Sequence, residues 1–302
     1  MTAPRLWALV GATGTGKTAL SLRLAEAIDA EIVNADAMQL YRGMDIGTAK
    51  LPVADRRGIP HHLFDVLEVS QDAAVAAYQR DARQAIREVF DRGKDAVLVG
   101  GSGLYVSSVL FDFRFPPRDH SLRAELEAEL DREGAAQLLE RLRALDPDTA
   151  ARVDPRNGRR VVRALEVVLQ GAATHGATLP DAPESWHPQT TVVGVHVERE
   201  ALVTRLDDRV TGMWSQGIVA EAEGLLSQGL EQGTTAQRAI GYAQALAQLR
   251  GEISEAEAVA QTQALTRRYA RRQVSWFKRY PRLHWVAPDA TVGQLRDLES
   301  PA

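Results

Sequence analysis

Residues 5–18 read RLWALVGATGTGKT, a short apolar run that stops at a Gly-rich loop. The apolar run has the length and composition of a buried strand, and the following TALSLRLAEAIDA sets apolar residues at helical spacing. Strand, loop and helix in that order form the context in which G-x-x-x-x-G-K-[ST] holds phosphate. In GATGTGKT, Gly11, Gly14 and Gly16 let backbone amides turn toward phosphate oxygens, with Ala12, Thr13 and Thr15 completing the cradle. The amino end of the helix adds a favourable field. Lys17 sets a cation against the terminal phosphate, and Thr18 offers a hydroxyl to Mg2+. A chance Gly-rich turn is the alternative, and a full eight-residue match in this context argues against it. The motif marks a phosphate site and is silent on the reaction.

Working outward, Glu31 to Asn34 predicts a second strand, followed by ADAMQLYRGMDIGTAK, rich in turn formers and polar groups. Residues 72–92 predict a helix, and Ala96 to Val99 a further strand that ends in GGSGLY. Strands alternating with helices imply an α/β fold, a P-loop NTPase-like parallel sheet flanked by helices. Ligands of such sheets bind at the carboxyl ends of the strands. Segments 11–18, 34–50 and 100–105 all follow strand ends and are expected to converge on one site.

The pattern changes after FPPRD at 115–119. From Ser121 to about Gly171 it is helical and charged, then Gly-, Pro- and Thr-rich over 171–190, with strand character back at TTVVGVHV, 190–197. The expected organisation is a first part of the core at 1–114 and a helical insertion domain at 115–190. The core is then completed over 191–302 with a basic C-terminal helical segment.

With 302 residues, 45% hydrophobic and 25% charged, the composition is that of an ordinary soluble globular protein. No stretch approaches the roughly 20 apolar residues of a membrane span, so no membrane partner is expected. Only MTAPR precedes the first strand, so no signal peptide is expected. The absence of cysteine excludes disulfides and thiolate chemistry, and a bacterial-type cytoplasmic location is the simplest reading. The net charge of -4 leaves room for a local basic face. One is visible at 267–282, RRYARRQVSWFKRYPR, with seven cations including Arg271 and Arg272 and no acid; a smaller knot joins Arg156, Arg159, Arg160 and Arg163. Tyr269, Trp276, Phe277 and Tyr280 alternate with those cations, a mix suited to phosphates and unstacked bases, or equally to packing in a core. The histidines read as structural: His61 and His62 are adjacent rather than at ligand spacing, and His175, His187 and His196 are scattered. Trp7, Trp214 and Trp285 read as core.

The later apolar strand ends in glycines and Ser102 with no carboxylate, so the available acid near the phosphates is Asp36. It could take a proton from a nucleophile opposite the phosphates, or cap the following turn. Asp45 is the next candidate, and spacing does not separate the two.

Asp36-Ala37-Met38-Gln39, YRGMDIGTAK, GGSGLY at 100–105, RALEV at 163–167, GY at 241–242 and RRQVSWFKR at 271–279 together resemble tRNA dimethylallyltransferases of the MiaA type. The resemblance spans nearly the whole chain in order. It implies that the phosphate loop holds the diphosphate of dimethylallyl diphosphate. The dimethylallyl group then passes to N6 of a flipped-out adenosine beside the anticodon, in tRNAs reading codons that begin with U. It implies Asp36 as base, Ser102 (where Thr is usual) near the reacting amine, and Arg209 facing the diphosphate. It also implies tRNA contacts at 36–39, at Arg159, Arg160, Val161, Val162 and Arg163, and at Ser102 and Arg123. The implied partners are the tRNA anticodon stem-loop and the donor, with Mg2+, in a monomer. Ala12 replaces the usual Pro of the loop, and Ala243 stands where a basic residue is common. Three rivals remain on residues alone. They are an ATP-dependent small-molecule kinase, an isopentenyltransferase acting on free adenine nucleotides, and a nucleotide-switched RNA-binding protein. The basic aromatic C-terminus and the whole-chain resemblance argue against the kinase, the basic segment and the 159–163 cluster against the free-nucleotide enzyme, and the lack of a guanine-reading motif against the switch.

Overall fold

The apolar run that leads into the phosphate loop is enclosed on both faces: Leu6, Trp7, Ala8, Leu9 and Val10 are all fully buried. A strand with no exposed side belongs in the middle of a parallel sheet covered by helices. In the computed structural model, which describes residues 3–112, 115–116, 119–171, 184–280 and 282–299, it has that position. The strands are β1 (Leu6–Val10), β2 (Glu31–Asn34), β3 (His61–His62), β4 (Ala96–Gly100), β5 (Thr190–Val195) and β6 (His284–Val286). They pair in the order β3-β2-β4-β1-β5-β6, every pair parallel. The expected parallel α/β sheet is therefore present, and β1, β2, β4 and β5 fall where their apolar runs predicted. The two edge strands, β3 and β6, are too short to carry a period of their own and were not foreseen. His62 Nε2 lies 2.7 Å from Glu31 Oε2, which also accepts from Arg92 Nη2 at 2.6 Å. The paired histidine is thus a tie between neighbouring strands.

The chain divides into two compact units, Met1–Asp112 with Ala182–Ala302, and Phe113–Asp181. The first unit begins with α1 (Lys17–Ile28), α2 (Val75–Asp91) and α3 (Gly103–Leu110). The second holds α4 (His120–Glu133), α5 (Ala135–Leu145), α6 (Pro147–Arg152) and α7 (Gly158–Leu169). The first resumes with α8 (Arg199–Ser215), α9 (Ile218–Leu226), α10 (Tyr242–Leu249), α11 (Glu255–Phe277) and α12 (Val292–Arg296). Residues 184–186 run with the first unit, since Trp186 N donates to Leu110 O and Asp112 N to Glu184 O.

The helical unit closes on its own core of Leu126, Leu138, Leu142, Val161, Val162 and Leu165. One carboxylate sits inside it: Glu166 is fully buried and meets Arg163 Nη1 at 2.9 Å and Arg123 Nη1 at 3.4 Å. A buried charge is tolerable only with such partners. His175 lies outside the described residues, as does most of the Gly-, Pro- and Thr-rich stretch. Among the described residues, no helix is long and apolar enough to cross a membrane.

Candidate active site

Strands β2, β4 and β1 are neighbours and parallel, so the segments leaving their carboxyl ends emerge side by side. Those segments are Ala35–Asp36, Gly101–Ser102 and the phosphate loop. Lys17 opens α1 and folds back so that Nζ donates to Ala12 O at 2.5 Å, while Thr15 Oγ1 donates to the same carbonyl at 2.9 Å. Burial pushes the Lys17 ammonium down to about 8; the nearby Asp36 carboxylate opposes that shift and the Arg209 guanidinium adds to it. Burial likewise lowers Arg209, with Asp36 again opposing. One carboxylate and two cations, from the end of β2, the start of α1 and the middle of α8, therefore share one electrostatic neighbourhood.

Asp36 caps the short 3-10 turn Ala37–Leu40, its Oδ1 accepting from Met38 N at 3.0 Å. Capping occupies one oxygen, and the carboxylate still faces Lys17 and Arg209. The cap and the proton acceptor are thus compatible roles for one side chain. Ser102 Oγ accepts from Ala37 N at 3.3 Å and lies 3.5 Å from Tyr269 Oη. Burial first and the Asp36 carboxylate second raise the Tyr269 hydroxyl to about 12, so it stays a neutral donor.

The geometry separates Asp36 from Asp45. Lys50, almost wholly enclosed, donates to Tyr41 O at 2.7 Å, Asp45 Oδ1 at 2.7 Å and Asp65 Oδ1 at 2.6 Å. Asp45 is therefore a partner of a structural ammonium. The same loop offers Thr48 O to both Arg209 Nη2 and Gln39 Nε2, each at 3.1 Å. Glu221 holds it from the other side, accepting from Ile46 N at 2.8 Å, Gly47 N at 3.4 Å and the Tyr242 hydroxyl. A Cβ on Gly47 would lie 2.4 Å from the Tyr242 ring. YRGMDIGTAK and the distant Gly241-Tyr242 thus belong to one bracket, which steadies Arg209 and Gln39.

Sequence reasoning missed Gln273. Its side chain is buried on α11, where Oε1 accepts from Thr13 N at 2.9 Å and Nε2 donates to Gly101 O at 2.8 Å. The amide stitches the phosphate loop to the turn after β4. A Cβ on Gly101 would meet Gln273 Nε2 at 2.3 Å, which accounts for glycine there. The signal was available: Ala270, Gln273 and Phe277 are spaced 3 and 4 apart on the buried face of α11, and a polar residue at such a position needs partners. Gln273→Leu orphans Thr13 N and Gly101 O, at about 1–3 kcal/mol each. A loss of about 2–5 kcal/mol in denaturant unfolding is expected, and a loss below 1 would show that water replaces the amide.

The basic segment divides over two faces of α11. Arg272 lies over the Tyr269 ring, 5.9 Å from its centroid, whereas Arg271 lines a groove shared with α8. Arg267 is engaged by Asp207 at 2.7 Å. Phe277 and Tyr280 are core residues. Trp276 donates to Ser107 Oγ and covers Gly103. Of the four aromatics only Tyr269 faces Ser102. In the helical unit, Arg159 and Arg160 are exposed. Val161 and Val162 are fully buried, because α7 turns their side chains into its core. Arg163 and Arg123 are drawn to Glu166. Trp7 is core and Trp214 half-buried, but Trp285 is 39% exposed against His196. Thr18 is exposed at the first turn of α1.

Residues 39–280 match the IPP transferase family profile. A tRNA dimethylallyltransferase of Clavibacter sepedonicus is 60% identical over 279 residues, covering 90% of each chain. The solved tRNA isopentenylpyrophosphate transferase of Bacillus halodurans superposes with a TM-score of 0.70 at 35% identity, covering 98% of this chain and 94% of its own. A eukaryotic dimethylallyltransferase, captured in crystallographic snapshots acting on tRNA, gives 0.78 at 25% identity and covers 97% of this chain and 77% of its own.

Proposed function

This chain belongs to the IPP transferase family, the tRNA dimethylallyltransferases, and on that premise we propose that it moves a dimethylallyl group from dimethylallyl diphosphate to N6 of an adenosine. That adenosine lies 3′-adjacent to the anticodon of a tRNA, and the enzyme acts as a single chain in the cytoplasm. The observation that carries this reading is the facing set of Lys17, Arg209 and Asp36. It offers two cations to a departing diphosphate and one carboxylate to an amine proton.

The exocyclic amine of adenine is a weak nucleophile, because its lone pair is delocalised into the ring. The dimethylallyl carbon compensates by developing allyl-cation character as its bond to oxygen lengthens. The N6–carbon bond forms, the carbon–oxygen bond breaks, and diphosphate leaves with the bonding pair. The loop amides of residues 11–18 with Lys17 and Arg209 stabilise that growing negative charge. Asp36 takes the amine proton as nitrogen acidifies, and Ser102 with the Tyr269 hydroxyl holds the adenine edge beside it. Extracting the base from its stack costs a few kcal/mol. Phosphates are met by Arg271 and Arg272 on α11 and by Arg159 and Arg160 of the helical unit.

Among the described residues, no group of three or more His, Asp or Glu side chains could hold a metal ion. The Thr18 hydroxyl would hold Mg2+, an oxygen ligand of the kind this hard cation takes. When bound, Mg2+ neutralises charge on the leaving diphosphate.

Unmodified tRNA incubated with the protein and dimethylallyl diphosphate, then digested to nucleosides, should yield N6-isopentenyladenosine by mass spectrometry. Product from free AMP but not from tRNA would instead identify a free-nucleotide prenyltransferase.

A further inference from the structure

The groove between α8 and α11 shares Arg271 with the phosphate contacts proposed above and is otherwise lined by residues with no role there. Its floor is aliphatic, made by Val197, Leu202, Val203, Leu206 and Val274. Around it stand Arg199, Arg268, Arg271 and Lys278. None of these four cations makes an ion pair among the described residues, in contrast to Arg267 beside them. Among the described residues no carboxylate lines the groove itself, although Asp207 pairs with its lining residue Arg267, on a protein whose net charge is -4. Its volume of about 560 Å3 is that of a small-molecule site.

The lining distinguishes between anions. Single-stranded nucleic acid is held by aromatic platforms beside cations, and this floor has no Phe, Tyr or Trp. Inorganic phosphate would use the cations and leave the floor in water. An apolar chain ending in a phosphate or diphosphate satisfies both halves, the chain covering aliphatic surface and the head meeting the guanidinium groups. We propose that this groove is a second binding site, for a soluble prenyl diphosphate longer than the donor. Leu202 and Leu206 pack with Ala12 of the phosphate loop and lie over Gly14. A ligand on the groove floor therefore presses on the loop that carries Lys17, and the site is placed to modulate donor use. It goes beyond the transfer reaction proposed above, and binding in the groove does not depend on that reaction.

Calorimetric titration of the full chain with geranyl diphosphate, geraniol and inorganic diphosphate tests this. The Lys17→Ala protein, in which the phosphate loop is crippled, should still bind geranyl diphosphate. Arg199→Gln with Lys278→Gln in that background should weaken binding at least about tenfold, or about 1.4 kcal/mol. Val203→Asp, which puts a like charge on the floor, should do the same. In the same Lys17→Ala background, geraniol and inorganic diphosphate should each bind at least about tenfold more weakly than the joined molecule. Loss of binding on Lys17→Ala alone would assign the ligand to the phosphate loop and overturn the proposal. Inorganic diphosphate binding as well as geranyl diphosphate would reduce the groove to a plain anion patch. Vesicles of phosphatidic acid that bind through the same cations, with no binding of free geranyl diphosphate, would replace the soluble ligand by a lipid surface. Failure of prenyl transfer to tRNA with intact groove binding would count against the proposed function alone.

Discussion

Asp36→Asn is expected to lower the single-turnover rate of prenyl transfer by about 10²- to 10⁴-fold, the usual share of a general base. The structure makes this substitution unusually informative, because the carboxylate also caps the turn at Ala37–Leu40 through Oδ1. An asparagine carbonyl caps nearly as well as a carboxylate, so the turn and the thermal midpoint should survive. The proton acceptor is removed, and with it the negative charge that opposes the lowering of both Lys17 and Arg209. Without it Lys17 is lowered further, so donor affinity should be retained where the ammonium carries its proton in both proteins, well below pH 8, and should fall off at lower pH than in the wild type. A slow chemical step with retained donor and tRNA affinity is the signature of a group acting in the transition state. A near-normal rate in a stable Asp36→Asn protein would remove Asp36 from the proton's path. Asp45 would not then be its natural replacement, since it is bound to Lys50.

Lys17→Ala should cost a similar amount by a different route. Removing one preorganised charge from a developing anion costs about 10²- to 10³-fold, and donor binding in the ground state should weaken with it. The pH dependence gives an independent check. The ammonium of the free enzyme titrates at about 8, because burial disfavours its charge. Below that pH it is already protonated and donor affinity should be flat. Above it, binding must first recover a proton, so the apparent dissociation constant should rise about tenfold per pH unit. Lys17→Arg keeps a permanent cation and should flatten the alkaline limb, even if its bulk lowers the rate. A wild-type affinity unchanged to pH 10 would show that another group carries the diphosphate.

Local signals carried much of this protein. A fully apolar run of five residues predicts a strand covered on both sides, and its junction with GATGTGKT predicts a phosphate loop; both are properties of a few adjacent residues. The same holds for β2, β4 and β5, and for the convergence of their trailing segments, because parallel strands must end on one edge. The family motifs were likewise legible as words in order along the chain.

What the words do to one another was not legible. That Asp45 is the partner of an enclosed ammonium depended on Lys50, which takes it together with Asp65, 20 residues further on. That Gly241-Tyr242 supports residues 46–47 depended on Glu221, a single acid on another helix. Arg271 and Arg272 look equivalent in sequence, yet the step of about 100° between neighbouring helix positions sends them to different faces. Val161 and Val162 sit inside a basic motif and point into a core. By itself the sequence determined the four longer strands and the family and predicted the phosphate loop, since backbone propensity and apolar periodicity act over neighbouring residues. Only the tertiary structure decided that Lys50 binds Asp45, which cations are unpaired among the described residues, and that Gln273 ties the loop to the turn after β4, because hydrogen bonds and desolvation act across hundreds of residues of chain.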